Sequence, residues 1–207
     1  MSFRIEQKLQ VVQSQLAVVL GWLSENGATP LFARRQINSI YFDTSTLSMY
    51  QDSNEGSLPR KKIRVRCYGE CSHSSSKHFL ETKISSVEGR YKTVEKCLDA
   101  NRIQRLGLID NQYGVTRPVL EVSYMREYFQ IKDVRLTIDT GINYKVSDSG
   151  KSGRFKVMDE NIAVEIKATN DISLDYLSNE FPFPRIRFSK YARAVEALSL
   201  QILARNG

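Results

Sequence analysis

Lysine and arginine recur at every second position in several short stretches of this chain, mixed with a few carboxylates. Along a β-strand that spacing collects them on one face. Arg4, Glu6 and Lys8 share a face opposite Phe3 and Ile5, and Arg60, Lys62, Arg64 and Arg66 share one opposite Ile63, Val65 and Cys67. Glu81 and Lys83 oppose Leu80 and Ile84, Arg135, Thr137 and Asp139 oppose Val134, Leu136 and Ile138, and Glu165 and Lys167 oppose Ile162, Val164 and Ile166. Guanidinium groups grip phosphate oxygens through paired N–H donors and lysines act as point charges. Carboxylates among them can hold Mn²⁺ or Mg²⁺ through oxygen. Two arrangements fit the alternation. Either the charged faces meet water over an apolar sandwich core, or helices cover the apolar faces and the charges are enclosed. Enclosed cations would repel one another at low effective dielectric and call for an anionic ligand. Alternation alone does not choose.

The elements that must position these residues follow from the same patterning. Strands are expected at 3–9, 36–43, 60–69, 77–86, 117–130, 133–142, 154–158 and 161–168. Helices are expected at 11–26, 93–107, 173–180 and 189–204, with Ser189 as an N-cap. The segment 52–57 reads as a polar turn and 71–76 as a Ser/His loop. Tyr124, Arg126 and Tyr128 share parity with Leu120 and Val122, which suggests a bulge or a strand buried on both faces. No repeat or linker divides the 207 residues, so a single α+β, mainly β domain of about eight strands is expected. Charged residues are 26% and the hydrophobic set 41%, ordinary for a globular chain, while the net charge of +7 points to an anionic partner.

No apolar run reaches membrane-spanning length, and the start lacks the pattern of a signal peptide. Cys67, Cys71 and Cys97 lack CxxC spacing and, with His73 and His78, lack zinc-ligand spacing. They read as reduced thiols of a cytoplasmic protein.

Ser39-Ile-Tyr-Phe-Asp-Thr44, Lys62-Ile-Arg-Val-Arg66, Glu81-Thr-Lys83, Ser123-Tyr-Met-Arg126, Arg135-Leu-Thr-Ile-Asp139, Val164-Glu-Ile-Lys167 and Phe188-Ser-Lys-Tyr191 occur in this order. The series resembles the VTC domain, the catalytic part of the vacuolar transporter chaperone polyphosphate polymerase, within the CYTH-like triphosphate tunnel metalloenzymes. It extends from Glu6 to about Glu196. The resemblance implies an eight-stranded antiparallel tunnel barrel with a charged interior and helices outside. It implies ATP and polyphosphate or triphosphate as partners and Mn²⁺ or Mg²⁺ as cofactor. It assigns phosphate contacts to Lys8, Arg64, Arg66, Lys83, Tyr124, Arg126, Arg135, Arg187, Ser189 and Lys190. Glu165 becomes the metal ligand, with Glu6 as a second candidate, and Arg64, Arg66, Glu165 and Lys190 the residues of the reaction itself. Arg4 stands where tunnel enzymes outside this branch often carry a glutamate, which removes one possible ligand. The phosphate-sensing and membrane-spanning parts of the yeast-type polymerase do not occur in these 207 residues, which leaves coupling to translocation open.

Phosphoryl transfer relies on positioning and on cations around the equatorial oxygens, so the resemblance fits the residue types. Gly150-Lys151-Ser152 is no P-loop, because position 145 is Lys and no βαβ unit surrounds it. No G-x-S-x-G is present. Nucleic acid is a poor fit for cations that alternate along strands. Polyphosphate synthesis leads. A triphosphatase or polyphosphatase at the same site, and a sensor that binds without turnover, stand as alternatives.

Overall fold

The computed structural model describes residues 4–69, 71, 77–147, 156–169, 181–183, 186, 188–199 and 202. Among them are strands Arg4–Val12 (β1), Thr29–Asp43 (β2), Arg60–Tyr68 (β3), His78–Ser86 (β4), Gly89–Cys97 (β5), Leu108–Asp110 (β6), Gly114–Ile131 (β7), Val134–Val146 (β8), Lys156–Met158 (β9) and Asn161–Thr169 (β10). The helices are Leu16–Glu25 (α1), Ser48–Glu55 (α2), Ala100–Leu106 (α3) and Lys190–Ala197 (α4). The strands hydrogen-bond in the order β1-β10-β8-β7-β2-β3-β4-β5, with β6 on β7 and β9 on β8. The registered pairs are antiparallel. This matches the expected mainly antiparallel sheet, while the closed eight-stranded barrel remains an expectation. The sheet has ten strands, and among the described residues its pairing path ends at β1 and β5 without closing.

The chain forms two compact units: 1–36 with 124–142 and 159–188, and 37–123 with 143–158 and 189–207. In the first, Leu9, Val11, Leu136, Ile138, Ile162, Val164 and Ile166 pack against Val19, Trp22 and Leu23 of α1. Those three α1 residues follow the i, i+3, i+4 spacing of a helix with one apolar stripe. Burial of such side chains contributes roughly 1.5–3 kcal/mol each. The helix ends where Asn26 donates its amide to the Trp22 carbonyl and Gly27 takes a φ of +66°. In the second unit, Ile63 and Val65 of β3 pack with Phe42, Met49 and Ala100. In both units helices therefore cover the apolar strand faces. The opposite faces carry buried charges, with Glu81 2% exposed, Asp139 1%, Arg66 6% and Glu165 7%, while the Lys8, Lys167 and Lys92 side chains stay a third or more open to solvent. Burial of those four charges weighs against a fully solvated face.

Several boundaries differ from expectation. The helix expected at 93–107 is the end of β5 followed by the short α3, because Ser86 pairs with Gly89 across a tight turn and β4 supplies partners as far as Cys97. The turn expected at 52–57 lies mostly in α2. That helix forms because the Asp43 carboxylate accepts the Met49 and Tyr50 N–H groups and Met49 is buried. The first helix begins at Leu16, since β1 continues to Val12 beside β10. On β7 the even-numbered face is the more buried one from Thr116 to Tyr128. Its chemistry changes from apolar to charged along the strand, so no bulge is needed. Cys67 and Cys71 are joined in a disulfide, their Cα atoms 6.1 Å apart, which corrects the expectation of three reduced thiols; Cys97 is free. Among the described residues no helix is long and apolar enough to cross a membrane. The helix expected at 173–180 lies outside the described residues.

Candidate functional site

The first unit holds Glu6, Lys8, Tyr124, Arg126, Arg135 and Glu165 of the expected residues. Register places Lys8 opposite Glu165 and Glu165 opposite Thr137, and in the next row Glu6 opposite Lys167 and Lys167 opposite Arg135. Lys8–Glu165 and Glu6–Lys167 set opposite charges side by side, the stabilising cross-strand arrangement, whereas Lys167–Arg135 is a like-charge pair. Lys167 Nζ lies 3.0 Å from Glu165 and 3.7 Å from Glu6, and Lys8 Nζ lies 3.1 Å from Glu6. Arg126 donates Nε and Nη2 to the two oxygens of Asp139 at 2.5 and 2.7 Å. Its Nη2 also reaches within 3.7 Å of Glu165, and its guanidinium carbon lies 5.4 Å from the Tyr124 ring centroid. Burial alone would raise the Glu165 pKa. A hydrogen bond with Glu6 and the charges of Lys8, Lys167 and Arg126 outweigh it and hold the carboxyl well below the usual range.

Glu165 is therefore an anion touching a second carboxyl, an oxygen pair that suits Mg²⁺ or Mn²⁺ held by one or two carboxylates plus substrate phosphates. Among the described residues no group of three or more His, Cys, Asp or Glu offers a complete protein cage. The buried Arg135 Nε and Thr137 Oγ1 have no hydrogen-bond partner among the described residues. Buried polar groups are normally hydrogen-bonded, and a ligand oxygen could supply partners to both.

The second unit holds Arg64, Arg66, Lys83, Ser189 and Lys190. Arg64 is clamped on both sides. Its Nε donates to Glu81 at 2.7 Å and its Nη2 lies 2.5 Å from the same oxygen, while Nη1 donates to the Tyr41 hydroxyl at 2.9 Å. Arg66 donates Nε to Ser39 at 3.2 Å and approaches Glu81 to 3.6 Å. Lys92 Nζ lies 2.6 Å from Glu81. One buried carboxylate is thus shared by three cations. Burial would raise the Glu81 pKa, but Arg64, Arg66 and Lys92 bring it down to about 2. Register also sets Lys62 opposite Lys83 and Lys83 opposite Lys92, a row of three like charges across neighbouring strands. Of these, Lys92 is paired with Glu81 and Lys62 donates to Ser189.

At the end of this face Ser189 caps α4, its Oγ accepting the Ala192 N–H at 3.3 Å and Lys62 Nζ at 3.1 Å. Tyr191 stacks on Tyr41 at 5.0 Å and hydrogen-bonds to Asp43. Burial pushes the Tyr41 phenol up, but Arg64, Arg66 and Lys190 outweigh it and lower its pKa to about 7. Lys61, on the opposite face, pairs with Asp110 at 2.9 Å, as parity requires.

Arg187 lies outside the described residues. Tyr41 and Lys92 were not singled out from the sequence. Tyr41 lay inside the Ser39–Thr44 motif, and Lys92 would have shared the Lys83 face had β5 been recognised as a strand.

The model of the VTC domain matches residues 3–111 and 99–199. The chain belongs to the VTC domain family. No curated protein sequence matches this VTC domain. A solved structure of a candidate adenylate cyclase from Bacillus halodurans shares its fold, with a TM-score of 0.60 at 11% identity over 91% of this chain and 94% of that one. A Pyrococcus horikoshii OT3 protein is 18% identical over 99% of this chain and 90% of its own, with a TM-score of 0.48.

Proposed function

We propose that this VTC domain is a metal-dependent phosphotransferase that extends a phosphate chain from the γ-phosphate of ATP. The observation that supports it most is the row Lys62, Lys83 and Lys92 beside Arg64 and Arg66, with the buried Glu81 as a carboxylate shared by Arg64, Arg66 and Lys92. Five clustered cations around one buried carboxylate suit a ligand with several negative charges in line.

In this reading the terminal oxygen of the acceptor chain attacks the γ-phosphorus. A new P–O–P bond forms, the bond to the β-phosphate oxygen breaks, and ADP leaves. Arg64 and Arg66 orient phosphoryl oxygens through paired N–H donors, and their clamps on Glu81, Tyr41 and Ser39 hold those donors in place before the ligand arrives. Lys8, Lys83 and Lys190 supply point charges, while Tyr124, Arg126, Arg135 and Ser189 add donors or position them. Glu165, with Glu6, would hold Mn²⁺ or Mg²⁺. When bound, the ion neutralises charge on the reacting phosphates.

The test is to incubate the pure protein with ATP and Mn²⁺ and resolve ADP, free phosphate and long phosphate chains. Long chains with ADP are expected. Free phosphate in place of chains would make the domain a hydrolase, and binding without turnover would make it a sensor.

A further inference from the structure

The charged face of the first unit runs into a group of aromatic rings and guanidinium groups that phosphate chemistry alone does not use. Arg35 donates Nε to the Tyr128 hydroxyl at 2.8 Å, and its guanidinium carbon lies 4.9 Å from that ring's centroid. The Arg135 guanidinium carbon lies 5.1 Å from the Tyr128 centroid and 5.6 Å from that of Phe32. Phe32 meets Tyr128 edge-on at 5.5 Å, yet it is 55% exposed. A phenyl ring ending a charged strand face, flanked by a guanidinium and open to solvent, is poorly explained by packing.

Position along β8 gives these groups an order. Thr137 stands opposite Glu165, and Arg135 stands two residues, about 7 Å, further along the same face. The Phe32 ring lies 5.6 Å from the Arg135 guanidinium carbon. Carboxylates, a guanidinium with an orphaned Nε about 7 Å along the strand, and an exposed ring against that guanidinium thus lie within one unit. They are the chemistries a nucleoside triphosphate calls for: metal-bearing phosphates, a further phosphate, and an aromatic base.

We propose that Phe32, supported by Arg35 and Tyr128, is a stacking site for the base of a nucleoside triphosphate whose inner phosphates meet Arg135. The proposal rests on the triphosphate reading given above and adds the nucleoside end of the substrate. Stacking is tolerant of base identity because every base offers a π-face. The guanidinium planes of Arg35 and Arg135 add cation–π attraction at the rim. The site therefore accepts purine and pyrimidine nucleotides, and it is indifferent to tripolyphosphate, which has no base.

Calorimetric titrations of ATP and of tripolyphosphate into wild type, Phe32→Ala and Phe32→Trp test it. Phe32→Ala should weaken ATP by about fivefold to a hundredfold, the range of base–aromatic stacking, and leave tripolyphosphate unchanged. Phe32→Trp should restore ATP binding. Equal weakening of both ligands would mean that Phe32 only positions Arg135, and no effect on either would mean that the base is not held there. Each outcome overturns the stacking site while leaving the triphosphate reading standing. Wild type that binds neither ligand would overturn both.

Discussion

Glu81 is the residue on which the second unit's cations depend. Three of them approach its two oxygens, and it is buried. Removing one side of a buried ion pair typically costs about 3–5 kcal/mol, because the remaining charge is left uncompensated. Glu81→Gln should lower stability by that order in urea unfolding, and tripolyphosphate should recover part of the loss by replacing the missing negative charge. A loss under about 1 kcal/mol would mean that the cations are relieved by other groups.

Tyr41 gives this cluster a pH dependence. Its pKa is lowered from 10.0 to about 7. A group whose folded pKa lies below its unfolded value adds stability that is complete above the unfolded pKa and lost as pH falls through the folded one. Ionisation of Tyr41 therefore stabilises the fold progressively from pH 7 toward 10, and contributes nothing below 7. The groups around the phenol are Arg64 and Arg66 of β3, Lys190 and Tyr191 of α4, and Asp43 on its own strand, held by Tyr191. The tyrosinate absorbance band should grow in near pH 7, vanish in Tyr41→Phe, and shift to higher pH with tripolyphosphate. An unchanged titration with ligand would separate Tyr41 from the anion site. Strand parity made Arg64, Arg66, Glu81 and Glu165 legible in the sequence, because a period of two leaves no freedom once the strand is known. Tyr41 was not legible as an ionisable group. Its perturbation comes from β3 and α4, segments far from it in the chain.

At the scale of elements, Asp43 joins β2 to two helices of the same unit. Its carboxylate accepts the Met49 and Tyr50 N–H groups of α2 and the Tyr191 hydroxyl of α4. Burial raises its pKa, against the pull of those hydrogen bonds. Asp43→Ala should orphan buried donors at both helices and cost about 2–4 kcal/mol. A lower urea midpoint with an unchanged m-value checks this, and a midpoint within error of wild type would contradict it. The same contact explains why α2 was unreadable locally. Ser48-Met-Tyr-Gln-Asp-Ser-Asn-Glu55 is a poor helix former, and its start is capped by a side chain five residues earlier. Likewise β5 reads as charged and helix-tolerant by itself, and it becomes a strand by pairing residue for residue with β4. Helix α4 was legible because Ser189 signals its own cap.

For the whole chain, the charge of +7 and the buried charged faces lead to one expectation, a ligand with several negative charges in a row. The mainly antiparallel architecture was readable from patterning, whereas helices over the apolar faces followed from the family resemblance, and closure depends on which edges pair. The central claim is that the enclosed cations hold a phosphate chain, and thermal unfolding with tripolyphosphate or sulfate at matched ionic strength tests it most directly. A ligand that binds only the folded state at about 100 times its Kd adds roughly 2.7 kcal/mol. For a chain of this size that is a rise in Tm of about 5–10 °C. Tripolyphosphate should produce that rise in wild type and much less in Arg64→Ala and Arg66→Ala, with Lys61→Ala behaving as wild type. Sulfate cannot span several cations in a row and should act mainly by screening. Coincident melting curves in the two anions, with wild type and the arginine variants alike, would contradict the claim.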